Sequence, residues 1–383
     1  MTSVPRPPWR VLVWTAAALA VVLLAVVTWR TSDAAATTST TSAPAAPVTG
    51  SPAAQLTEAW SATPGVPAGG DVVESDRVLV TAADGVAMAD PATGEPAWSY
   101  TRSGARLCGA TAVDQVVVVL FSTGGRCNEL TALRADTGVR LWYRSVGFRA
   151  DATLSSTDRI VLATSPTGLA TVDPTGNGIR WHHAVPEGCR VVDATAGSLG
   201  VAALQDCGDQ QQVVLLDGFD GSQRWMRELG SSPARLAGAD DLVGVVSGDD
   251  LLALAPADGS TLTSTPLAST AGSADEAPLQ TGAGAGVCVW ARGTLYTLDA
   301  TTGGLRWSVP AVGLPATGDR LATPGTVVVP EQGAMVTRDL ATGGEAARST
   351  TPSSTAELRG GARTAVVGDV VVLAHPDRVT AYR

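Results

Sequence analysis

The chain has 383 residues, of which 26 are basic and 36 are acidic, and its formal net charge at pH 7 is −10. Every basic residue is an arginine, and the lack of lysine excludes P-loop nucleotide hydrolysis, kinase chemistry and pyridoxal-phosphate catalysis, each of which depends on one. An acidic chain without a basic cluster is also poorly suited to bind nucleic acid, since neutralisation of phosphates dominates that affinity.

The first predicted element is a transmembrane helix over residues 11–29, which are uncharged and mostly Ala, Val and Leu. At about 1.5 Å per residue such a helix is roughly 28 Å long, close to the hydrocarbon thickness of a bilayer. Arg6 and Arg10 precede it, and basic residues are sparse on its other side. The positive-inside rule therefore predicts a cytoplasmic tail over residues 1–10 and an extracytoplasmic remainder, a single-pass protein of the cell membrane.

An alternative for the same segment is a cleaved signal peptide, with the Ala-Ala-Ala stretch at residues 34–36 as its small-residue cleavage site. Signal peptides usually carry an apolar region of about 7–15 residues, which is shorter than the apolar segment here. The length favours an uncleaved signal anchor over this alternative.

Residues 30–54 are almost wholly Thr, Ser, Ala and Pro, and they predict a disordered tether. Such a composition buries too little apolar surface to offset the entropy of ordering the chain. Everything after it, residues 55–383, is predicted to be one folded domain.

The folded domain consists of repeats. Seven nine-residue stretches align without gaps, and the last position of each lies 38 to 44 residues from that of its neighbour. A period near 41 residues with a β-type composition is typical of propeller blades. The stretches are DPATGEPAW (90–98), RADTGVRLW (134–142), DPTGNGIRW (173–181), DGFDGSQRW (217–225), APADGSTLT (255–263), DATTGGLRW (299–307) and DLATGGEAA (339–347).

Each column of this alignment has a physical reason. The first holds Asp in five of the seven copies, where a short carboxylate accepts hydrogen bonds from turn amides. The fifth holds Gly in six copies and Asn177 in the other, which indicates a turn position with positive φ. The ninth holds Thr263 and Ala347 in two copies, and Trp in the rest: Trp98, Trp142, Trp181, Trp225 and Trp307.

Half-copies at the two ends of the domain predict a closed ring of eight blades. Residues 56–60 (LTEAW) form a Trp strand with no strands before it, and Trp60 lies at the repeat spacing before Trp98. The last residues, 370–383, form strands that no turn or Trp strand follows. Adding the first strand to the last blade removes the sheet edges that an open array would expose. The predicted fold class is an all-β, eight-bladed β-propeller on one amino-terminal transmembrane helix.

The motif Asp-x-x-Thr/Asp-Gly-x-x-x-Trp in eight blades resembles the repeat of the PQQ-type, quinoprotein alcohol dehydrogenase-like propeller family. The resemblance covers residues 55–383, and it implies that the six Trp of the column, Trp60 included, dock each blade on the next. One branch of that family binds pyrroloquinoline quinone and Ca²⁺ over the central channel and has long inserts and adjacent cysteines. This chain has neither, so it is identified with the non-catalytic, BamB-like branch, and no cofactor is expected.

Four of the five cysteines are spaced as two pairs, Cys108 with Cys127 and Cys189 with Cys207. The first of each pair is predicted at the start of a blade's opening strand and the second at the end of the next strand, ends that antiparallel pairing brings together. Outside the membrane, disulfides are the default for such pairs, with free buried thiols as the alternative. Cys288 is predicted to be a small buried side chain of an inner strand.

Other reactive side chains show no pattern of a site. His182 and His183 are adjacent on a predicted strand and so point to opposite faces, which prevents them from sharing a metal ion. The chain has three His and no Gly-x-Ser-x-Gly elbow, which argues against a serine hydrolase. We therefore predict no catalytic, cofactor-binding or metal-ligating residues.

The predicted function is that of a tethered protein-interaction scaffold without catalysis. The alternatives are a PQQ-dependent quinoprotein dehydrogenase and a sensor of small ligands or cell-wall glycans. Variable loops, including residues 269–281, are predicted on the face that bears the disulfides, and recognition usually occurs on variable loops of a rigid scaffold. An unidentified extracytoplasmic or membrane protein is therefore predicted to dock on the face that carries Arg126 and Arg190.

Overall fold

The computed structural model describes residues 8–30, 32–157, 159–230, 232–268, 276–318, 321, 323–352 and 361–383. Within them, eight successive β-sheets form an eight-bladed propeller, which confirms the predicted fold class. Helix α1 (Trp9–Arg30) precedes the propeller, has no buried residues, and is long and apolar enough to cross a membrane. Helix α2 (Asp33–Ala36) is a single turn.

The strands, in chain order, are β1 (Thr37–Ser39), β2 (Glu58–Ala62), β3 (Val73–Glu74), β4 (Arg77–Thr81), β5 (Gly85–Ala89), β6 (Pro96–Arg102), β7 (Arg106–Val113), β8 (Val116–Thr123), β9 (Arg126–Arg134), β10 (Arg140–Ser145), β11 (Thr153–Ser156), β12 (Val161–Ser165), β13 (Gly168–Val172), β14 (Ile179–Ala184), β15 (Arg190–Gly197), β16 (Gly200–Asp206) and β17 (Gln211–Leu216). They continue with β18 (Gln223–Gly230), β19 (Ala234–Asp240), β20 (Leu242–Ser247), β21 (Asp250–Leu254), β22 (Thr261–Pro266), β23 (Leu279–Ala283), β24 (Gly286–Ala291), β25 (Thr294–Asp299), β26 (Leu305–Pro310), β27 (Gly313–Leu314), β28 (Thr326–Glu331), β29 (Ala334–Asp339), β30 (Glu345–Thr350), β31 (Ala362–Val367), β32 (Val370–His375) and β33 (Arg378–Tyr382).

The blades follow one another in chain order. Blade 1 contains β3 to β6, and blades 2 to 6 each contain four consecutive strands from β7 to β26. Blade 7 contains β28 to β30, with an inner bridge between Ala316 and Val328. Blade 8 contains β31 to β33 and takes its outer strand, β2, from the other end of the domain.

The ring closes through β2, as the half-copies predict. β2 pairs antiparallel with β33, and Thr57 and Arg383 exchange two backbone hydrogen bonds of 2.8 and 2.9 Å. Leu56, just before β2, is buried in an apolar cluster with side chains of blades 7 and 8. The first strand of the domain is thus the last strand of the last blade.

The core lies between neighbouring blades. The second strand of a blade is covered on both faces and therefore reads as a continuous apolar run, such as Val116–Phe121 in β8. Val118 and Leu120 of that run pack with Val161 and Ala163 of blade 3 in one apolar cluster. Each blade is therefore stabilised by its neighbours rather than by a core of its own.

Part of the segment predicted to be a disordered tether, residues 30–54, contacts the propeller. β1 extends blade 1 by pairing antiparallel with β6, Thr38 opposite Thr101. The edge of a sheet presents unpaired backbone groups, and a polar Thr/Ser segment can satisfy them without burying apolar side chains. This is why a composition that lacks apolar residues still binds here.

Arg77 holds the next part of the same segment. Its side chain is buried and donates to the carbonyl of Ala43 at 2.9 Å, to Oγ of Ser42 at 3.2 Å, and to the carbonyl of Asp136 in blade 2 at 3.1 Å. Hydrogen bonds from a charged donor are stronger than those between neutral groups. One guanidinium therefore ties the segment to two blades.

We expect Arg77→Ala to release this segment, because it removes all three hydrogen bonds at once. Hydrogen–deuterium exchange measured by mass spectrometry should become faster over residues 37–43. Arg134→Ala is the matched control, since Arg134 ends β9 just before the turn that holds Asp136, and its side chain pairs with the Asp136 side chain at 3.1 Å. Equal protection of residues 37–43 in both variants would contradict the role of Arg77.

Candidate partner-binding face

The antiparallel blades give the ring two faces. One face carries the turns that join the first strand to the second and the third strand to the fourth, as residues 90–96 do in blade 1. We call it the repeat-turn face. The opposite face carries the connections between blades and the turns that join the second strand to the third, as residues 123–126 do in blade 2. We call it the connection face.

On the repeat-turn face, the Asp column organises each turn. Asp90 accepts from the amides of Ala92 and Thr93, both at 2.9 Å, and Gly94 follows with φ +73°. At Asp299 the Arg306 side chain, together with the turn amides, holds the pKa of the carboxyl well below its usual range. These hydrogen bonds make the turns short and uniform, which is a structural role.

The Trp column joins each blade to the repeat turn of the next. Five of the six indoles lie against the glycine of that turn, and a Cβ added at Gly138 would lie 2.6 Å from the Trp98 ring; the turn that Trp142 contacts has Asn177 at this position. Where Thr263 replaces Trp, its hydroxyl donates to the carbonyl of Gly303 at 2.6 Å. The indole N–H groups donate to the following carbonyls: Trp60 to Pro91 (2.9 Å), Trp98 to Ala135 (2.8 Å), Trp142 to Pro174 (2.8 Å), Trp181 to Gly218 (3.1 Å), Trp225 to Pro256 (3.0 Å) and Trp307 to Leu340 (3.0 Å).

Two disulfides lie at the connection face. Cys108 is joined to Cys127 in blade 2, with 5.9 Å between their Cα atoms, and Cys189 to Cys207 in blade 4, with 4.1 Å. The strand assignment of Cys127 differs from the sequence prediction, since it is the second residue of the third strand, β9, rather than the end of the second. The two-residue turn before β9 leaves it at the same end of the blade.

We expect loss of either disulfide to destabilise the propeller, by about 3 kcal/mol in the chain-entropy account for loops of this length. Thermal melting of Cys108→Ser/Cys127→Ser and of Cys189→Ser/Cys207→Ser measures this cost. The matched control is the variant that lacks both pairs, whose melting should not respond to reductant. Wild-type melting that is insensitive to reductant would show that the four thiols are free.

The fifth cysteine, in blade 6, is not part of a disulfide. Cys288 lies in β24, is fully buried, and burial raises the pKa of its thiol to about 11. Two residues on, the buried Trp290 donates its N–H to the carbonyl of Ala311 at 2.8 Å. Because Trp290 lies outside the repeat column, the repeat does not predict this contact with the segment that leads out of blade 6.

Arg126 and Arg190 both lie at the connection face but do not form one cluster, because blade 3 separates them. Arg126 is exposed and donates to the carbonyl of Arg149 at 3.5 Å. The Arg190 side chain is 68% exposed and pairs with Asp206 at 2.8 Å, which lowers the pKa of that carboxyl. Of the predicted variable loop at 269–281, residues 269–275 lie outside the described residues.

A cavity of about 660 Å³ opens at the connection face between blades 4, 5 and 6. Asp193 lines it, accepts from the amide of Leu236 at 3.1 Å, and has its pKa raised by burial. The exposed Val192 and the ion pair of Arg292 with Asp249, at 2.8 Å, also line it. Apolar surface beside charges of both signs suits the side chains of a protein partner.

A second cavity, of about 380 Å³, lies at the inner strands of blades 1, 6, 7 and 8. Asp71, Glu74, Thr281, Arg363 and Thr364 are among its lining residues, and the buried hydroxyl of Thr364 has no hydrogen-bond partner among the described residues. In the described part of the chain, no three His, Cys, Asp or Glu side chains converge on a position that could hold a metal ion. The donor set there does not fit the Ca²⁺ that accompanies the quinone in quinoprotein dehydrogenases.

Comparisons with known proteins agree with the repeat. The family model described as outer membrane protein assembly factor BamB matches residues 48–265 and 249–383. BamB from Moraxella catarrhalis is 17% identical with a TM-score of 0.50, over 86% of this chain and 99% of that one. The computationally designed Ika8 protein is 16% identical with a TM-score of 0.60, over 86% and 99%.

The quinohemoprotein alcohol dehydrogenase from Comamonas testosteroni is 14% identical with a TM-score of 0.51, over 86% of this chain and 76% of that one. At these identities the structural likeness shows the fold alone. No curated protein matches the sequence.

Proposed function

This chain belongs to the family of the outer membrane protein assembly factor BamB, and from that premise we propose that it is a membrane-tethered, extracytoplasmic interaction scaffold with no catalysis of its own. An assembly factor acts through contacts with other proteins, which supports this role in general terms. We propose an unidentified extracytoplasmic or membrane protein as the partner, and no nucleic acid, since the chain is acidic.

The proposed location follows from α1 and the disulfides. We propose that α1 is retained as a single-pass anchor, with residues 1–10 in the cytoplasm and the propeller, residues 55–383, outside. Disulfides persist in oxidising compartments, and two of them in the propeller support this orientation.

The choice of face is supported by the path of the tether. After β1 the tether runs over the repeat-turn face, where the amide of Ser42 donates to the carbonyl of Thr137 at 3.1 Å. Farther on, Val48 lies so close to the turn of blade 8 that a Cβ at Gly368 would be 2.6 Å from it. The chain itself thus covers part of the repeat-turn face. We infer that the partner docks on the connection face, which carries Arg126, Arg190 and the cavity beside Asp193.

The test is cross-linking and pulldown from native membranes with charge-reversal variants. Arg126→Glu/Arg190→Glu should reduce recovery of the partner while melting stays unchanged, because both side chains are at the surface and exposed pairs contribute little. Glu95→Arg, at an exposed position of the repeat-turn face, is the matched control and should leave recovery intact. Loss of the partner in Glu95→Arg alone would contradict the choice of face.

A glycan or small-ligand sensor is the second candidate, and the unpartnered Thr364 hydroxyl in the cavity beside Arg363 favours it. A thermal shift with muropeptides or sugars that disappears in Arg363→Ala would support the sensor. The dehydrogenase is tested separately: dye-linked oxidation of alcohol or glucose after reconstitution with quinone and Ca²⁺ would overturn the scaffold.

A further inference from the structure

We propose that the outer strand of blade 2 is a membrane-contact surface that rests on an anionic lipid bilayer. This surface consists of Val139, Arg140, Leu141 and Tyr143, on β10 and the turn before it. The proposal depends on α1 as a retained anchor, and it does not depend on the identity of a protein partner.

The first observation behind this proposal is the short connection between α1 and β1. Only six residues separate Arg30, the end of α1, from Thr37, the start of β1. Even fully extended, they would span roughly 21 Å, and four of them form α2, which rises only about 1.5 Å per residue. Since β1 is paired with β6, the outer edge of blade 1 is held close to the end of the membrane helix.

The outer strand of blade 2 lies beside this point. A cavity of about 390 Å³ is lined by Ala34 of the connection and Thr37 of β1 and also by Arg140 and Tyr143 of β10. The chain that leaves the membrane therefore passes within one cavity width of β10. Tyr100 and Arg102 of β6, the strand that pairs with β1, line the same cavity and connect the two sides.

The side chains of β10 differ from those of the other outer strands. Leu141 and Tyr143 flank the buried Trp142 and are 43% and 65% exposed, and Val139, two residues before Leu141, is also exposed. These two residues lie immediately before and after the column residue, and no other blade has two large apolar side chains at those two positions. The corresponding pairs are Ala97 and Ser99, Arg180 and His182, Arg224 and Met226, Leu262 and Ser264, Arg306 and Ser308, Ala346 and Arg348, and Ala59 and Ser61.

The balance of basic and acidic residues also favours blade 2 as the lipid-binding blade. Residues 106–145, the strands of blade 2, contain five Arg and three acidic residues, whereas residues 234–266 of blade 5 contain one Arg and five acidic residues. β6, which adjoins β1, has no acidic residue. An aromatic side chain beside apolar and basic ones is the combination that favours a lipid headgroup region, and anionic lipids attract arginine near their surface. The occupant we propose is therefore anionic lipid.

The experiment places an environment-sensitive fluorophore on the full-length protein in liposomes that contain phosphatidylglycerol and a lipid-bound quencher. Tyr143→Cys carries the label at the proposed surface, and Met226→Cys is the matched control, one residue after the column Trp of blade 4. The native cysteines do not compete for label, because four are in disulfides and Cys288 is buried.

We expect several-fold stronger lipid quenching at position 143 than at position 226, and weaker quenching at 143 in phosphatidylcholine alone or with Arg140→Glu. Equal quenching at the two positions would overturn the proposal. A second result would also overturn it. If the fluorophore at 143 became buried as the protein density in the liposomes was raised, and lipid did not quench it, then a second copy of the chain would cover this surface.

Discussion

Deletion of residues 55–62 is expected to abolish cooperative melting of the whole propeller. The deletion removes β2, which leaves β33 unpaired on one side and opens the interface between blades 8 and 1. One apolar cluster crosses that interface, with Val372 and Ala381 of blade 8 packed with blade 1 side chains and with Trp60. Because each blade is stabilised by its neighbours, the damage should spread around the ring. Circular dichroism and calorimetry measure it.

Glu58→Ala is the control in the same strand. Glu58 is exposed, so its truncation should change the free energy of unfolding by no more than about 0.5 kcal/mol. A deletion variant that melts as the wild type does would show that the ring is stable without its closing strand, contrary to the pairing of β2 with β33.

The sequence predicted those features of the fold that depend on local chemistry. An Asp that accepts turn amides, a Gly with positive φ and a Trp four residues later recur whatever lies between them, so their spacing alone reveals the blades. Closure of the ring was predicted from the same pattern. The Trp strand at the start of the domain has no blade of its own, and the last blade has no Trp strand, so the first completes the second. Strand ends were less predictable, as Cys127 shows, since the two-residue turn before β9 has no distinct signal.

The candidate face was less accessible to sequence reasoning. The cavity beside Asp193 is lined by residues of three blades, which are far apart in sequence and follow no repeat. The contacts of the tether with the propeller were also not predictable, because they consist of backbone hydrogen bonds and of the Arg77 side chain, and neither depends on the apolar pattern that identifies ordered segments. Tertiary contacts of this kind appear only once the blades are in place.

Trp98→Ala is expected to have the largest cost of any substitution in the Trp column. Truncation of a buried Trp typically costs about 3–5 kcal/mol. Trp98 is fully buried, whereas Trp307 is 9% exposed, so Trp307→Ala should cost less. Denaturant unfolding followed by circular dichroism measures both. A greater loss of unfolding free energy in Trp307→Ala than in Trp98→Ala would mean that burial of the indole does not determine the relative cost of these substitutions.

The partner of Trp98 in the next turn allows a sharper experiment. Gly138 has φ +76°, and a Cβ there would meet the Trp98 ring at 2.6 Å; Gly125 has φ +80° and open space around a Cβ. Gly125→Ala therefore measures the cost of a left-handed backbone alone, about 1–2 kcal/mol, and Gly138→Ala should cost more. In a Trp98→Ala background the extra cost of Gly138→Ala should fall to that of Gly125→Ala, because the ring that it displaces is gone. If the two costs simply add, the glycine column serves the turn alone, and contact with the indole does not explain why it recurs.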